Sequence, residues 1–178
     1  LAFALSIATA GLAGAFLIRR LMPWPANVNK RLVKNPKVYW RDSGLLHALL
    51  NVTDRDELLA QPWVGASWEG FVIEQIIGIL EQTGRSFEPY FLRTTDGHEV
   101  DLVLDFGKQR WAIEVKLAAS PTAADMERLG HTADLIHADR RILISRTRTV
   151  VDSDDRVSAN LNWIVTELAS AGARRRHD

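Results

Sequence analysis

The chain has 178 residues, 47% hydrophobic and 25% charged, a balance that can bury a real core and excludes a disordered or low-complexity protein. It has no cysteine, which removes disulfides, Cys-zinc sites, iron–sulfur clusters and Cys nucleophiles. Its 22 Lys/Arg and 22 Asp/Glu cancel unevenly: residues 1–41 carry seven basic and no acidic residues, 42–139 carry seven against seventeen, and 140–178 carry eight against five.

Leu1–Ile18 is uncharged and is followed by Arg19-Arg20. The run just reaches the length of a membrane span, but its many Ala and Gly residues make it weakly apolar, and the basic start of a signal peptide is missing. The pattern predicts a buried helix over residues 1–21, closed by Pro23 and Pro25, in a cytoplasmic protein. The first residue is Leu, as expected of a non-standard start codon or of a piece of a longer chain.

Lys30–Val33 and Lys37–Arg41 read as a basic hairpin turning at Asn35-Pro36. Its Lys30, Arg31, Lys34 and Lys37 suit phosphate contacts of a nucleic acid, or equally a solvated face or a docking surface. Gly44–Leu50 and Thr53–Ala60 read as short helices, the first capped by Asp42 or Ser43, and Pro62 and Gly65 close that region. A long helix is expected over Ser67–Gln82, with Trp68, Phe71, Val72, Ile76, Ile79 and Leu80 as its buried stripe and Gly84 as its end.

Three strands should follow, Pro89–Thr94, His98–Phe106 and Arg110–Ala118, joined by turns at Asp96-Gly97 and Gly107-Lys108. A helix over Thr122–His137 and a strand over Arg140–Ser145 complete an α-β-β-β-α-β order, which makes a mixed sheet with helices on its faces. Asp152–Arg156 reads as an acidic loop, Ser158–Ala171 as a last amphipathic helix and Arg174–Asp178 as a disordered basic tail. The organisation is therefore an extension (1–62), a core (63–150) and a C-terminal helix with tail (151–178).

Strand periodicity singles out a group of charges. Alternation places Val100, Leu102, Leu104 and Phe106 on one face and Glu99, Asp101, Val103 and Asp105 on the other. In the next strand Trp111, Ile113, Val115 and Leu117 alternate with Ala112, Glu114, Lys116 and Ala118. With apolar faces aligned, Asp101, Glu114 and Lys116 converge. Paired carboxylates repel unless a cation lies between them, and hard oxygen ligands suit Mg2+ or Mn2+. A lysine beside such an ion can position water and offset charge in phosphoryl transfer. Glu69 or Glu74 on the preceding helix would complete the site. A structural Asp101–Lys116 ion pair would leave the same trace in the sequence.

Several runs taken together resemble a known family. They are Lys30-Arg31-Leu32-Val33-Lys34-Asn35-Pro36-Lys37-Val38-Tyr39, then Arg41-Asp42-Ser43-Gly44-Leu45-Leu46, then Gly65-Ala66-Ser67-Trp68-Glu69-Gly70-Phe71-Val72, then Glu99-Val100-Asp101 and Ile113-Glu114-Val115-Lys116. Over residues 12–150 the chain looks like the domain of unknown function found C-terminal to the ATPase domain in bacterial and archaeal AAA-type ATPases, placed in the PD-(D/E)XK nuclease-like superfamily. The resemblance implies a restriction-endonuclease-like fold with the same α-β-β-β-α-β core. It assigns Glu69 the helical acidic position, Asp101 the first core carboxylate, and Glu114 and Lys116 the E-x-K pair. Glu74 lies outside the matched motif. Val100 replaces the proline that names the superfamily, and the next helix lacks the Gln/Tyr pair of some nuclease branches. The absence of any G-x-x-x-x-G-K-[ST] motif means no P-loop ATPase.

Two functions are thus expected side by side. One is Mg2+- or Mn2+-dependent phosphodiester hydrolysis of DNA, or nucleic-acid binding on a degenerate nuclease fold: Asp101 and Glu114 would hold the ion, Lys116 the water, and Glu69 would support them. The other is a non-catalytic partner or regulatory module of an AAA-type ATPase.

Overall fold

A computed structural model of the chain describes residues 11–25 and 31–174, with side chains to residue 170. The protein is a mixed α/β structure built on one eight-stranded sheet. Its elements in chain order are β1 (Ile18–Pro23), β2 (Lys37–Trp40), α1 (Ser43–Leu49), α2 (Arg55–Ala60), α3 (Val64–Thr83), β3 (Glu88–Arg93), β4 (Glu99–Asp105), β5 (Arg110–Val115), α4 (Ala123–Asp134), β6 (Arg140–Ser145), β7 (Val151–Ser153), β8 (Arg156–Asn160) and α5 (Leu161–Arg174). The strands lie in the order β2-β1-β3-β4-β5-β6-β8-β7. Pairs β1/β3, β5/β6 and β6/β8 are parallel, and the other neighbours are antiparallel.

Each face of the sheet has its own core. Val72, Ile73, Ile76, Ile77 and Leu80 of α3, with Ile164 and Leu168 of α5, pack on Leu102, Leu104, Ile113, Ile142 and Ile144. On the opposite face Leu129 and Ala133 of α4 pack on Val100, Val103, Ala112 and Leu143. Helix α4 starts in a capping box, in which the Thr122 hydroxyl accepts from the Asp125 amide and the Asp125 carboxylate accepts from the Thr122 amide. Asp42 caps α1 by accepting from the Leu45 amide at 3.0 Å. Gly84 closes α3 with φ 68°, a conformation that a side chain would strain.

The expected central α-β-β-β-α-β elements occur in the expected order. Four segments differ. Residues 1–10 of the expected first helix lie outside the described residues, and within the rest only 11–14 are helical. The helix stops at Phe16, whose φ of 58° lets Leu17 N–H reach Leu12 O and Phe16 N–H reach Ala13 O, a Schellman closure. The chain then runs straight into β1 instead of continuing as helix to Leu21, burying Ile18 and Leu21.

The basic hairpin does not form either. Strand β2 pairs antiparallel with β1, from Ile18↔Trp40 to Leu21↔Lys37. Residues 31–33 instead follow the end of β3, with Leu32 bridging Thr94 and Val33 N–H donating to Arg93 O. Pro62 lies between α2 and α3, as expected, but Gly65 sits inside α3, which already begins at Val64. The expected loop over 152–156 is a tight β7–β8 hairpin turning at Asp154-Asp155, with Asp154 at φ 34°, and β8 takes the first residues of the expected last helix. Of the tail, Arg174 ends α5 and residues 175–178 lie outside the described residues. Among the described residues no helix is long and apolar enough to cross a membrane.

Helix α3 passes directly beneath β2 at Gly70. A Cβ there would stand 3.0 Å from Tyr39 Cδ1, whose ring is buried and tethered through its hydroxyl to Glu69. Gly78, eight residues on, has open space at the same atom. Gly78→Ala should therefore raise stability by roughly 0.5–1 kcal/mol through lower chain entropy. Gly70→Ala should lower it by about 1–3 kcal/mol through overpacking. Urea denaturation of the two variants would check the opposite signs.

Candidate functional site

The β4–β5 ladder runs from Asp105↔Arg110 to Leu102↔Ile113 and then opens. Continued by one step, its register sets Asp101 opposite Glu114. At that point the Asp101 carboxylate takes the place of a ladder carbonyl: its Oδ2 accepts from the Val115 amide at 2.9 Å. A bulge contributes. Two steps along β3, Tyr90 to Leu92, face three along β4, Val103 to Val100. Strict alternation therefore fails near Asp101, and Val100 joins Val103 in the α4-side core, not Leu102 and Leu104 as the period-two pattern predicts.

The opening is a cavity of about 460 Å³. Its charged lining holds four carboxylates, Glu69, Glu99, Asp101 and Glu114, and four cations, Lys37, Arg93, Lys116 and Arg128. The structure thus brings together Glu69, Asp101, Glu114 and Lys116 from three separate elements. Lys37 joins them. Its ammonium lies 2.8 Å from Glu69 Oε1 and 3.1 Å from Asp101 Oδ1, and it also pairs with Glu99. The Tyr39 hydroxyl donates to the same Glu69 oxygen. Arg93 holds the other Glu99 oxygen at 2.9 Å, and Lys116 holds Glu114 Oε1 at 2.6 Å. Glu114 Oε2 is buried with no hydrogen-bond partner.

These contacts set the titration behaviour. Burial, then Glu114 and Glu69, push Asp101 up to about 8, against Lys37 and the Val115 amide, which favour the carboxylate. Burial also raises Glu114, opposed by the Lys116 hydrogen bond and charge. Burial alone would lower Lys37, but Asp101, Tyr39 and Glu69 outweigh it and hold the ammonium protonated far above its usual range. Burial would likewise lower Lys116, and the Glu114 hydrogen bond more than reverses it.

The other expected residues are dispersed. Arg31 and Lys34 are exposed and do not line the cavity, and Lys30 lies outside the described residues. Lys37 points into the acidic cluster because β2 pairs with β1 and alternation then directs Lys37 and Tyr39 the same way. Glu74 belongs to a separate network, 3.1 Å from Arg19 and 3.2 Å from Arg41, that fastens β1 and β2 to α3. Sequence reasoning missed Lys37 as a cavity residue, and with it Tyr39, Glu99, Arg93 and Arg128. The Lys37-x-Tyr39 spacing and the Glu99-x-Asp101 spacing were the available signals.

Asp101 and Glu114 are hard oxygen donors on adjacent strands, and the unpartnered Glu114 Oε2 gives a cation an oxygen to take, so their chemistry fits Mg2+ or Mn2+. Among the described residues, no group of three acidic, Cys or His side chains is gathered for a metal. In this arrangement the cation among the carboxylates is the Lys37 ammonium.

The family described as "Domain of unknown function (DUF4143)" matches residues 64–166, and the chain belongs to it. A second, "Domain of unknown function (DUF8612)", matches residues 7–56. Uncharacterized proteins of Mycobacterium tuberculosis and Mycobacterium bovis are each 35% identical over 150 residues, which is 80% of this chain and 33% of theirs. The chain thus spans about a third of the length of the curated relatives it matches.

Removing the ammonium would leave three carboxylates facing one another. Lys37, only 17% exposed, should cost on the order of 3 kcal/mol when replaced by Met. Arg128, 66% exposed, should stay within about 0.5 kcal/mol under the same change. Urea denaturation midpoints of Lys37→Met and Arg128→Met provide the comparison.

Proposed function

We propose that the cavity is a phosphodiester-hydrolysing site of the PD-(D/E)XK kind, acting on DNA, with α3-β3-β4-β5-α4-β6 as its restriction-endonuclease-like core. The observation that carries this reading is the placement of Asp101 across from Glu114, with Lys116 two residues further along, at the open end of a ladder in a cavity. Asp101 and Glu114 would hold Mg2+ or Mn2+. When bound, the ion supplies charge for a phosphoryl oxygen and a more acidic water.

The remaining chemistry falls to the chain's own groups. Lys116, 36% exposed and already kept charged by Glu114, can hold the attacking water and offset charge developing on the phosphoryl oxygens. Glu69 is fixed by Tyr39 and Lys37 and bears on the same carboxylates without needing to move. The side chains of Arg93 and Arg128, half to two-thirds exposed at the rim, suit flanking phosphates.

A second reading draws on Lys37. An ammonium already neutralising the carboxylates makes a stable metal-free cluster, as a non-catalytic module of an AAA-type ATPase would have. The curated relatives extend far beyond the matched segment, which leaves room for such a partner domain in them.

Incubation with plasmid, branched and single-stranded DNA in Mn2+ separates the two. Hydrolysis predicts cleavage that Asp101→Ala abolishes and Lys116→Ala slows on the order of a hundredfold. Glu74→Gln should lower stability yet leave the cleavage rate per folded molecule unchanged. Absence of cleavage, or cleavage that survives Asp101→Ala, favours the module.

A further inference from the structure

Lys37 stands out because the mechanism proposed above gives it no chemical step. Three carboxylates from two elements, Glu69 on α3 and Glu99 and Asp101 on β4, converge on its one ammonium. The ammonium also lies 5.7 Å from the Phe91 ring centroid and 5.9 Å from that of Tyr39, against aromatic faces that favour a cation. Only 17% of the side chain is exposed.

Charge counting gives this position a meaning. Counted with every group ionised, the four carboxylates and four cations lining the cavity balance while Lys37 is in place. A divalent ion added to Asp101 and Glu114 would leave an excess of two positive charges, with Lys37 3.1 Å from one of the ion's ligands. Withdrawal of Lys37 halves that excess and frees Asp101 Oδ1. The residue is suited to withdraw. Its stem is a flexible chain of four methylenes, and it sits at the first position of β2, which is the outermost strand of the sheet. Both neighbouring acids have other holders, Tyr39 on Glu69 and Arg93 on Glu99, so the cluster does not lose all its contacts when Lys37 leaves.

We propose that Lys37 is a built-in counter-ion that competes with the divalent cation for the carboxylates, holding the site closed to metal until it is displaced. This rests on the reading of Asp101 and Glu114 as metal-binding residues, and it adds regulation to that site.

The test is metal binding, not cleavage. Free Mn2+ is followed by electron paramagnetic resonance during titration of the full chain, as wild type, Lys37→Met, Lys37→Arg and the double variant Lys37→Met/Asp101→Asn. Lys37→Met should bind Mn2+ at least tenfold more tightly than wild type. Lys37→Arg should bind no more tightly, and the added Asp101→Asn should erase the gain. Equal or weaker binding by a folded Lys37→Met, or no binding by any variant, overturns the proposal.

If Lys37→Met does not fold, wild type decides. Amine acylation read by mass spectrometry should find Lys37 protected without metal and labelled in Mn2+. Unchanged protection of Lys37 as Mn2+ is raised overturns the proposal. A protein that never cleaves DNA can still pass these tests, and a true nuclease can fail them, so the two readings fail separately.

Discussion

The Lys37 ammonium is the point at which three parts of the molecule meet. It comes from the strand at one edge of the sheet, and its partners come from the long helix α3 and from the central strand β4. A charge this far out of water persists only where opposite charge surrounds it. Here the requirement is mutual: the carboxylates would repel one another without the lysine, and burial would weaken the lysine's hold on its proton without them. The N-terminal segment is therefore electrostatically part of the site. The Glu74 network repeats the same logic one turn and more along α3, where Arg19 and Arg41 clamp β1 and β2 to the helix. Gly70 lies between the two clamps and lets the Tyr39 side chain approach α3 closely.

How much of this was legible in the sequence depends on the range of the interaction. Strands β3 to β6 and helix α3 are written in local pattern: period-two alternation, Asp-Gly and Gly-Lys turns, a 3.6-residue stripe and a Gly stop. The β4–β5 hairpin, whose register is short-range, brings Asp101, Glu114 and Lys116 to one cavity even though strict alternation fails at Asp101. The early segment is harder to read because its end signal is unusual. Phe16, not a glycine, takes the left-handed position that closes the helix. The β7–β8 hairpin hid in the same way, turning on Asp154-Asp155 where a glycine would have marked it. The inward direction of Lys37 is not legible locally, because it depends on pairing with β1 across an intervening segment.

The bulge in β4 is the other feature that pattern alone does not give. A regular strand would send Val100 and Asp101 to the faces that alternation demands. The extra residue opposite β3 sends Val100 to the α4 side and leaves Asp101 at the place where the ladder with β5 parts. Bulges re-aim side chains at the ends of pairing, and this one frees a carboxylate from an otherwise continuous sheet. The Val115 amide then pins it. The Asp101 carboxylate is thus held from both sides, by a backbone donor on one oxygen and by the Lys37 ammonium on the other.

The net charge of zero acquires a local meaning from this arrangement. The acidic middle of the chain and its basic beginning are not separate surfaces that happen to cancel. Lys37 from the basic segment is inserted among Glu69, Glu99 and Asp101 from the acidic one. Cancellation occurs inside one cavity, where each added or removed charge is felt at short range and low dielectric. The cavity meets its carboxylates with its own lysine, and on the proposal above an external cation would have to displace that lysine to bind. If the proposal holds, a binding module and a hydrolytic centre on this fold would differ not in the presence of Asp101, Glu114 and Lys116 but in which cation their carboxylates hold.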